Sequence, residues 1–211
     1  VAWELGDFDT ALRHLDRALA VLRKDPNSWI YQGVLFNKGM VLHDAGRDAA
    51  ALPLLLQARK LRIASLGKDH ERIGDTERMI GEVQAALGQH TAARARLAEA
   101  VKLTRAGYGP SHPHTRRAEL SLALFDLARS EPPTPSVLAQ LEQLAALPKS
   151  DAELRKVAWL ASTALAIRHC REPGFGEGPA MLESTATEIS AALPEGGAIA
   201  RTFERERARC R

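Results

Sequence analysis

Two glycines, Gly46 and Gly88, stand 42 residues apart, and the residues around them recur at that same distance. Gly39 matches Gly81, Ala51 matches Ala93, Leu55 matches Leu97 and Ala58 matches Ala100. Further on, Gly67 matches Gly109 and His70 matches His112. Small and large residues that share one period specify a stacked repeat, in which each unit covers the apolar face of the next. This spacing constrains the fold more than any other feature of the chain.

The repeating unit reads as a pair of helices. The apolar residues lean on Ala and Leu, both good helix formers, and aromatics are only 5% of the 211 residues. No stretch alternates like a strand, and Asn-Gly and Asp-Gly hairpin signals are missing. The chain is therefore all-α. Gly46 and Gly88 serve as helix stops, because glycine accepts the left-handed backbone of a helix C-terminus. The alanines let two helices close, and Leu55 and Leu97 act as knobs in the next groove. Gly39 and Gly81 are expected where one helix backbone presses on its partner.

In chain order, Val1–Leu5 reads as the tail of a helix whose front is missing, followed by a helix from Asp7 to about Lys24. Gly6 keeps the offsets of the later stops, with Ala11, Leu15 and Ala18 behind it. The sequence thus suggests a piece of a longer protein with a covalently linked N-terminal part. Asp25-Pro26 predicts the next start, with Asp as N-cap and Pro at the first helical position. That helix runs to about Ala45, and its partner from Arg47 to about Leu66. Asp69-His70 and Ser111-His112-Pro113 predict the following two starts, with Gln89 to about Ala106 between them.

Gly-Asp-Phe-Asp-Thr-Ala-Leu at 6–12 is similar to the loop and second helix of tetratricopeptide repeats. The 42-residue period, with Leu66-Gly67-Lys68-Asp69-His70 and Tyr108-Gly109-Pro110-Ser111-His112-Pro113, resembles the longer variant seen in kinesin light chains and many bacterial signalling proteins. The resemblance covers residues 1–130. It implies a right-handed superhelical solenoid of antiparallel helix pairs. Lys38 departs from the pattern where a large apolar residue is usual, and Ala123 replaces the helix glycine. After Ser130 the pattern fails, since the position five residues on is Pro135.

Residues 131–211 read as degenerate helical repeats and a C-terminal cap. Thr134 is a candidate N-cap for a helix over Ser136–Leu147. Ser150-Asp151-Ala152-Glu153 reads as a capping box for a helix to about Cys170. Arg171 to Gly178 reads as a loop, and helices are predicted over Pro179–Leu193 and Gly197–Arg209.

Charge argues against a nucleic-acid partner. The last eleven residues hold five Arg and two Glu, which equals the net +3 of the whole chain, so residues 1–200 balance at 24 basic and 24 acidic. A basic footprint across the body, which nucleic-acid binding needs, is absent. Two cysteines, Cys170 and Cys210, form no disulfide framework and point by default to a reducing cytoplasm. No apolar run reaches the roughly 18 residues of a membrane span.

Catalytic and metal patterns are weak. His70 and His112 repeat at helix entrances, too far apart along a solenoid to share one ion, and read as structural. His112 and His114 are two apart, whereas zinc pairs on a helix want about four. Cys170 reads as a small packing residue. The glycines at 174, 176 and 178 read as a turn. No cofactor, metal or catalytic group is assigned.

The positive expectation is a binding face lined by the first helix of each pair. Offsets from the helix glycine place Phe36, Asn37, Met40 and His43 on it in one unit. Arg78, Met79 and Glu82 follow in the next, and Arg117, Ser121 and Leu124 in the last. The resemblance implies that this face receives a peptide or helix of a partner protein. It places Asn37 where the family often uses Asn to bond ligand backbone. The family's basic clamp for terminal carboxylates is missing, since Asp75 and Met79 occupy its positions. The chain is thus expected to be a non-catalytic interaction module. The resemblance adds a setting, the C-terminal sensor or scaffold part of a bacterial regulator such as a serine/threonine kinase or transcriptional regulator. The alternatives are an RNA-binding helical repeat, or an enzyme whose site the sequence hides. Ala93→Leu should overpack the helix pair and lower stability by about 1–3 kcal/mol; an unchanged urea midpoint would remove Ala93 from the contact.

Overall fold

Short polar caps and single glycines divide the chain into helices of 11 to 20 residues. The computed structural model describes residues 6–130, 132–171, 178–192 and 203–204. Among these are α1 (Phe8–Leu22), α2 (Trp29–Asp44), α3 (Asp48–Leu66), α4 (Glu71–Ala86) and α5 (His90–Tyr108). Then come α6 (Pro113–Leu127), α7 (Pro135–Ala145), α8 (Ala152–Arg171) and α9 (Gly178–Ala192). No strand occurs among the described residues, so the all-α expectation holds. The tail at Val1–Leu5 and most of Gly197–Arg209 lie outside the described residues.

The helix stops are equivalent, residue for residue. Gly46 has φ +71° and Gly88 φ +75°, a region that costs a β-carbon but not glycine. Gly46 N–H donates to His43 O at 2.8 Å and Arg47 N–H to Leu42 O at 2.8 Å. One unit later, Gly88 N–H donates to Ala85 O at 3.1 Å and Gln89 N–H to Gln84 O at 2.8 Å. This double bond pattern satisfies the last carbonyls of α2 and α4 in the same way.

Two helix starts differ from expectation. α2 is capped by Ser28, not Asp25: the Ser28 hydroxyl accepts from Tyr31 N–H at 3.2 Å. Asp25 instead offers its backbone carbonyl to the Ser28 N–H at 3.2 Å, so Pro26 sits in a turn before the helix. Likewise α8 is capped by Asp151, whose Oδ1 accepts from Glu153 and Leu154 N–H at 2.9 Å each, and not by Ser150. A carboxylate satisfies two orphan donors where one hydroxyl satisfies one. The histidines act at helix entrances as expected. His70 Nδ1 accepts from Arg72 N–H and His112 Nδ1 from His114 N–H, both at 3.2 Å.

The described residues form two compact units, Asp7–Leu122 and a second from Ala123 onward. In the first, Ala51, Ala58, Ala93 and Ala100 are fully buried and Leu55 and Leu97 nearly so. A β-carbon at Gly39 would lie 2.6 Å from Leu55 Cγ, and one at Gly81 would lie 2.8 Å from Leu97 Cγ. The glycine on the first helix of each pair is thus the socket for the leucine on the second. Each buried leucine contributes about 1.5–3 kcal/mol. Gly74 adds a further close approach of α4 to α5, its would-be β-carbon lying 2.8 Å from Thr104 Cγ2.

A second element of the repeat is electrostatic. Glu77 and Glu119, 42 residues apart, are both buried. Glu77 on α4 accepts from Arg59 Nε of α3 at 2.5 Å and from Arg96 Nη1 of α5 at 2.9 Å. Glu119 on α6 accepts from Arg105 of α5 and from Arg116 Nη1 at 2.9 Å. Glu77 therefore ties α4 to both α3 and α5, and Glu119 ties α6 to α5 through Arg105 while Arg116 pairs with it from within α6. Burying a charge is costly unless it is paired this fully.

In the second unit α8 packs on α7 and α9. Its core includes Trp159, Ile167, Leu182, Ile189 and Phe203. The Trp159 indole N–H donates to Glu188 Oε2 at 2.9 Å, and Lys149 Nζ donates to the same carboxylate at 2.7 Å. Cys170 packs against this core as expected, but its sulfur is disulfide-bonded rather than free. Gly178 opens α9 instead of closing a loop; a β-carbon there would meet Ala166 O and Cys170 Sγ at 2.7 Å. The glycines at 174 and 176 lie outside the described residues.

Glu77→Gln should cost about 2 kcal/mol, because it removes the charge both arginines share in a buried position. Arg96→Gln, whose side chain is 32% exposed, should cost under about 1 kcal/mol. Urea midpoints of the two variants check this; equal losses would show that Glu77 is no shared hub.

Candidate functional site

In the first unit, the first helices of successive pairs, α2, α4 and the start of α6, border one cavity of about 420 Å³ together with the C-terminal ends of α3 and α5. That volume suits part of a peptide or a small ligand. Of the residues expected from sequence, Phe36, Met40, Arg78 and Arg117 line it.

Glu82 and Ser121 lie beside it in a polar link. Ser121 Oγ donates to Glu82 Oε1 at 2.5 Å, and Arg78 Nη1 donates to the same oxygen at 2.6 Å. Burial pushes the Glu82 carboxyl up, but Arg78, the Ser121 hydroxyl and His43 together outweigh it and hold it below its ordinary value. His43 also bonds Asp48 at 2.5 Å, joining α2 to α3. Asn37 is exposed and does not line the cavity. Met79 is corrected: it is 2% exposed and packs with Val41, Leu42 and Leu55 in the core. Its unbranched thioether turns into that apolar cluster rather than toward the cavity. Leu124 is half-buried in the part of α6 that belongs to the second unit.

Six further residues carry the chemistry of the cavity: Trp29, Arg62, Arg72, Asp75, Tyr108 and His114. Asp75 accepts from the Tyr108 hydroxyl at 3.0 Å and pairs with His114 Nδ1 at 2.7 Å. Tyr108 stacks on His112, ring centroids 4.5 Å apart, and His112 and His114 lie 5.3 Å apart. The two histidines thus share one cluster although they are two apart, because His112 precedes the helix and its ring folds over the first turn. Burial, then the charge of Asp75 and the bond to it, push the Tyr108 phenol far above its ordinary range, so it stays a neutral donor. The His114 side chain makes no further hydrogen bond among the described residues, and the Tyr108 hydroxyl nearby is held on Asp75.

Arg62 reaches in from α3. Its Nη1 donates to Thr76 Oγ1 at 2.7 Å and its guanidinium lies 4.5 Å over the Phe36 ring. Burial pushes its pKa below the usual value, Asp75 opposes this and Arg72 adds to it. No carboxylate pairs with Arg62 among the described residues. The Asp75 position was visible in sequence through its i, i+3 spacing with Arg72 and Arg78. Arg62 was not, since second helices were expected to face away.

Residues 31–106 match the family model for the tetratricopeptide repeat. Two solved structures of a kinesin-light-chain-type protein of Podosopora anserina, with nearly identical TPR-like repeats, have the same fold. One, a point variant, has a TM-score of 0.63 at 17% identity, covering 90% of this chain and 90% of that one. The other has a TM-score of 0.62 at 17% identity, covering 92% of each. No curated protein sequence matches the chain. Tetratricopeptide repeats generally mediate protein–protein interaction, and the paired helices of this chain agree with a helical repeat fold. No helix among the described residues is long and apolar enough to cross a membrane.

The lowered Glu82 pKa links the polar pair to stability. A folded-state value below 4.5 contributes stability that is complete above 4.5 and is lost as pH falls through the folded value. The urea midpoint of Glu82→Gln should therefore fall furthest below that of the native chain near neutral pH, with the gap closing as pH drops below 4.5. A gap that stays constant with pH would show that the charge is irrelevant.

Proposed function

We propose that this chain, which carries tetratricopeptide repeats, is a non-catalytic module that holds a peptide or helix of a partner protein in the cavity between α2, α4 and α6. One observation carries the reading: first helices of three successive pairs converge on a single depression. Its lining combines apolar Phe36 and Met40 with polar Arg62, Arg72, Asp75 and Arg78. Trp29 stands at the edge, 72% exposed, as a large apolar contact without cover in the described chain. Exposed aromatic surface beside a polar rim is the composition of binding hot spots.

The Asp75–His114–Tyr108 cluster is the arrangement nearest to catalytic chemistry, and its one hydroxyl, on Tyr108, stays a neutral donor to Asp75. We read it as a structural brace that fixes the α4–α6 side of the cavity. The wider setting, a sensor or scaffold part of a bacterial kinase or transcriptional regulator, is proposed from family resemblance alone. The cytoplasmic setting, read from the lack of a disulfide framework, is likewise a proposal.

Photo-crosslinking tests the site. A benzoylphenylalanine in place of Trp29 should yield a discrete protein adduct in cells, and the same probe at Val21, which is 77% exposed and lies off the cavity, should not. Equal adducts from both positions would place the partner elsewhere.

A further inference from the structure

The entrances of α4 and α6 are closed by imidazole. His70 Nδ1 accepts from the Arg72 N–H and His112 Nδ1 from the His114 N–H, both at 3.2 Å. A backbone amide can only donate, so this geometry fixes the state of both rings: Nδ1 bears a lone pair and the imidazole is neutral. His114 is fixed the other way, because the Asp75 carboxylate can only accept and its Oδ1 lies 2.7 Å from His114 Nδ1. A protonated cap loses its acceptor, and its charge then faces the N–H groups at the positive end of the helix.

The two caps differ in where that proton goes. Glu71 Oε2 lies 3.3 Å from His70 Nδ1, so a protonated His70 exchanges the amide for a carboxylate. His112 is half-buried and has no ion-pair partner among the described residues. Its ring is stacked on Tyr108 of α5, centroids 4.5 Å apart, and the His114 ring lies 5.3 Å away. Asp75 of α4 is already bonded to Tyr108 and to His114. The other charges on this side are Glu71 and Arg72 of α4, which act electrostatically on Tyr108, and Arg116 and Arg117 of α6 itself. With His114 held on Asp75, a proton on His112 meets like charge and no free carboxylate.

We infer that His112 is an acid-sensitive latch on α6: a proton on its ring releases the first turn of that helix, whereas the equivalent proton on His70 is compensated by Glu71. Pro113 sharpens the effect. It has no N–H, so the His114 amide is the first orphan donor of α6, and the imidazole is what satisfies it. The start of α6 brings His114 and Arg117 to the cavity, so acid loosens the α6 side of it. The contact of Leu97 with Gly81 holds no titratable group, and the α4–α5 pair stays closed. The sign follows from proton binding. The open turn takes a proton that the closed one excludes, so the stability from this cap is lost as pH falls through the imidazole range, from about pH 8 to about pH 5. The latch does not depend on what the cavity holds.

Imidazole-nitrogen NMR of the full 211-residue chain at about pH 7.5 tests the closed state. His70 and His112 should carry their proton on Nε2 and His114 on Nδ1; a proton on Nδ1 of His112 overturns the latch. His112→Asn then supplies a cap acceptor that takes no proton. The unfolding constant in urea of the native chain, divided by that of His112→Asn, should rise about five-fold from about pH 7.5 to about pH 5.5, the worth of one helix cap. For His70→Asn the same ratio should change less than about two-fold, because Glu71 compensates the native ring. A ratio that stays constant for His112→Asn, or that rises equally for His70→Asn, overturns the proposal. If His112→Asn does not fold, hydrogen exchange of the native chain decides. Protection of the His114 amide should fall about five-fold over that interval relative to the Gly88 amide, whose acceptor is the Ala85 carbonyl; equal protection overturns the latch.

Discussion

The close approach of glycine on one helix to leucine on the next sets everything else in the first unit. Leu55 over Gly39 and Leu97 over Gly81 leave no room for a β-carbon, and the buried alanines on either side bring the backbones together. Packed interiors tolerate few voids, so this contact fixes both the spacing and the rotation of each pair. With the rotation fixed, one stripe of each first helix must face the same side. The cavity between α2, α4 and α6 is a consequence of that shared rotation, not an addition to it.

The repeat was readable because its parts are short-range and chemically unambiguous. A left-handed corner takes glycine, a tight crossing takes alanine, and both recur at Gly46, Gly88, Ala51 and Ala93. Cap identity was less readable. Asp25 and Ser28 are both good caps by type, and the choice depends on which one the preceding turn leaves free to reach an orphan N–H. Four of the residues expected from helix register, Phe36, Met40, Arg78 and Arg117, line the cavity. Met79 did not, since a position on a helix says which way a side chain starts and not which way a flexible thioether ends. Arg62 did not either, because a long side chain from the second helix crosses a distance that register arguments do not count.

Glu77 and Glu119 show what the period hides when attention rests on apolar residues. They recur at 42, as the leucines do, yet a carboxylate in sequence reads as surface. Their burial depends on Arg59, Arg96, Arg105 and Arg116, which are not themselves periodic. The carboxylate stays in place while its partners change, because any guanidinium long enough to reach it satisfies the same need. A position can therefore repeat without its contacts repeating.

This distribution of acids also accounts for a charged cavity in a balanced chain. Counted along the sequence, residues 1–200 are neutral, and that neutrality argued against a nucleic-acid partner. In three dimensions Glu77 and Glu119 are buried against helix-bridging arginines, and Glu82 holds Arg78 and Ser121. Those carboxylates are already matched at close range, where Coulomb attraction is strongest, and contribute little field to the open space. Arg62 and Arg72 face the cavity, where Asp75 is the lining carboxylate and is already engaged. Net charge measures the sum over the chain, whereas a ligand meets only the charges that folding has left unmatched. The same helix pairing that makes the array stable thus sorts its charges, placing acids in the seams between helices and bases where the first helices converge.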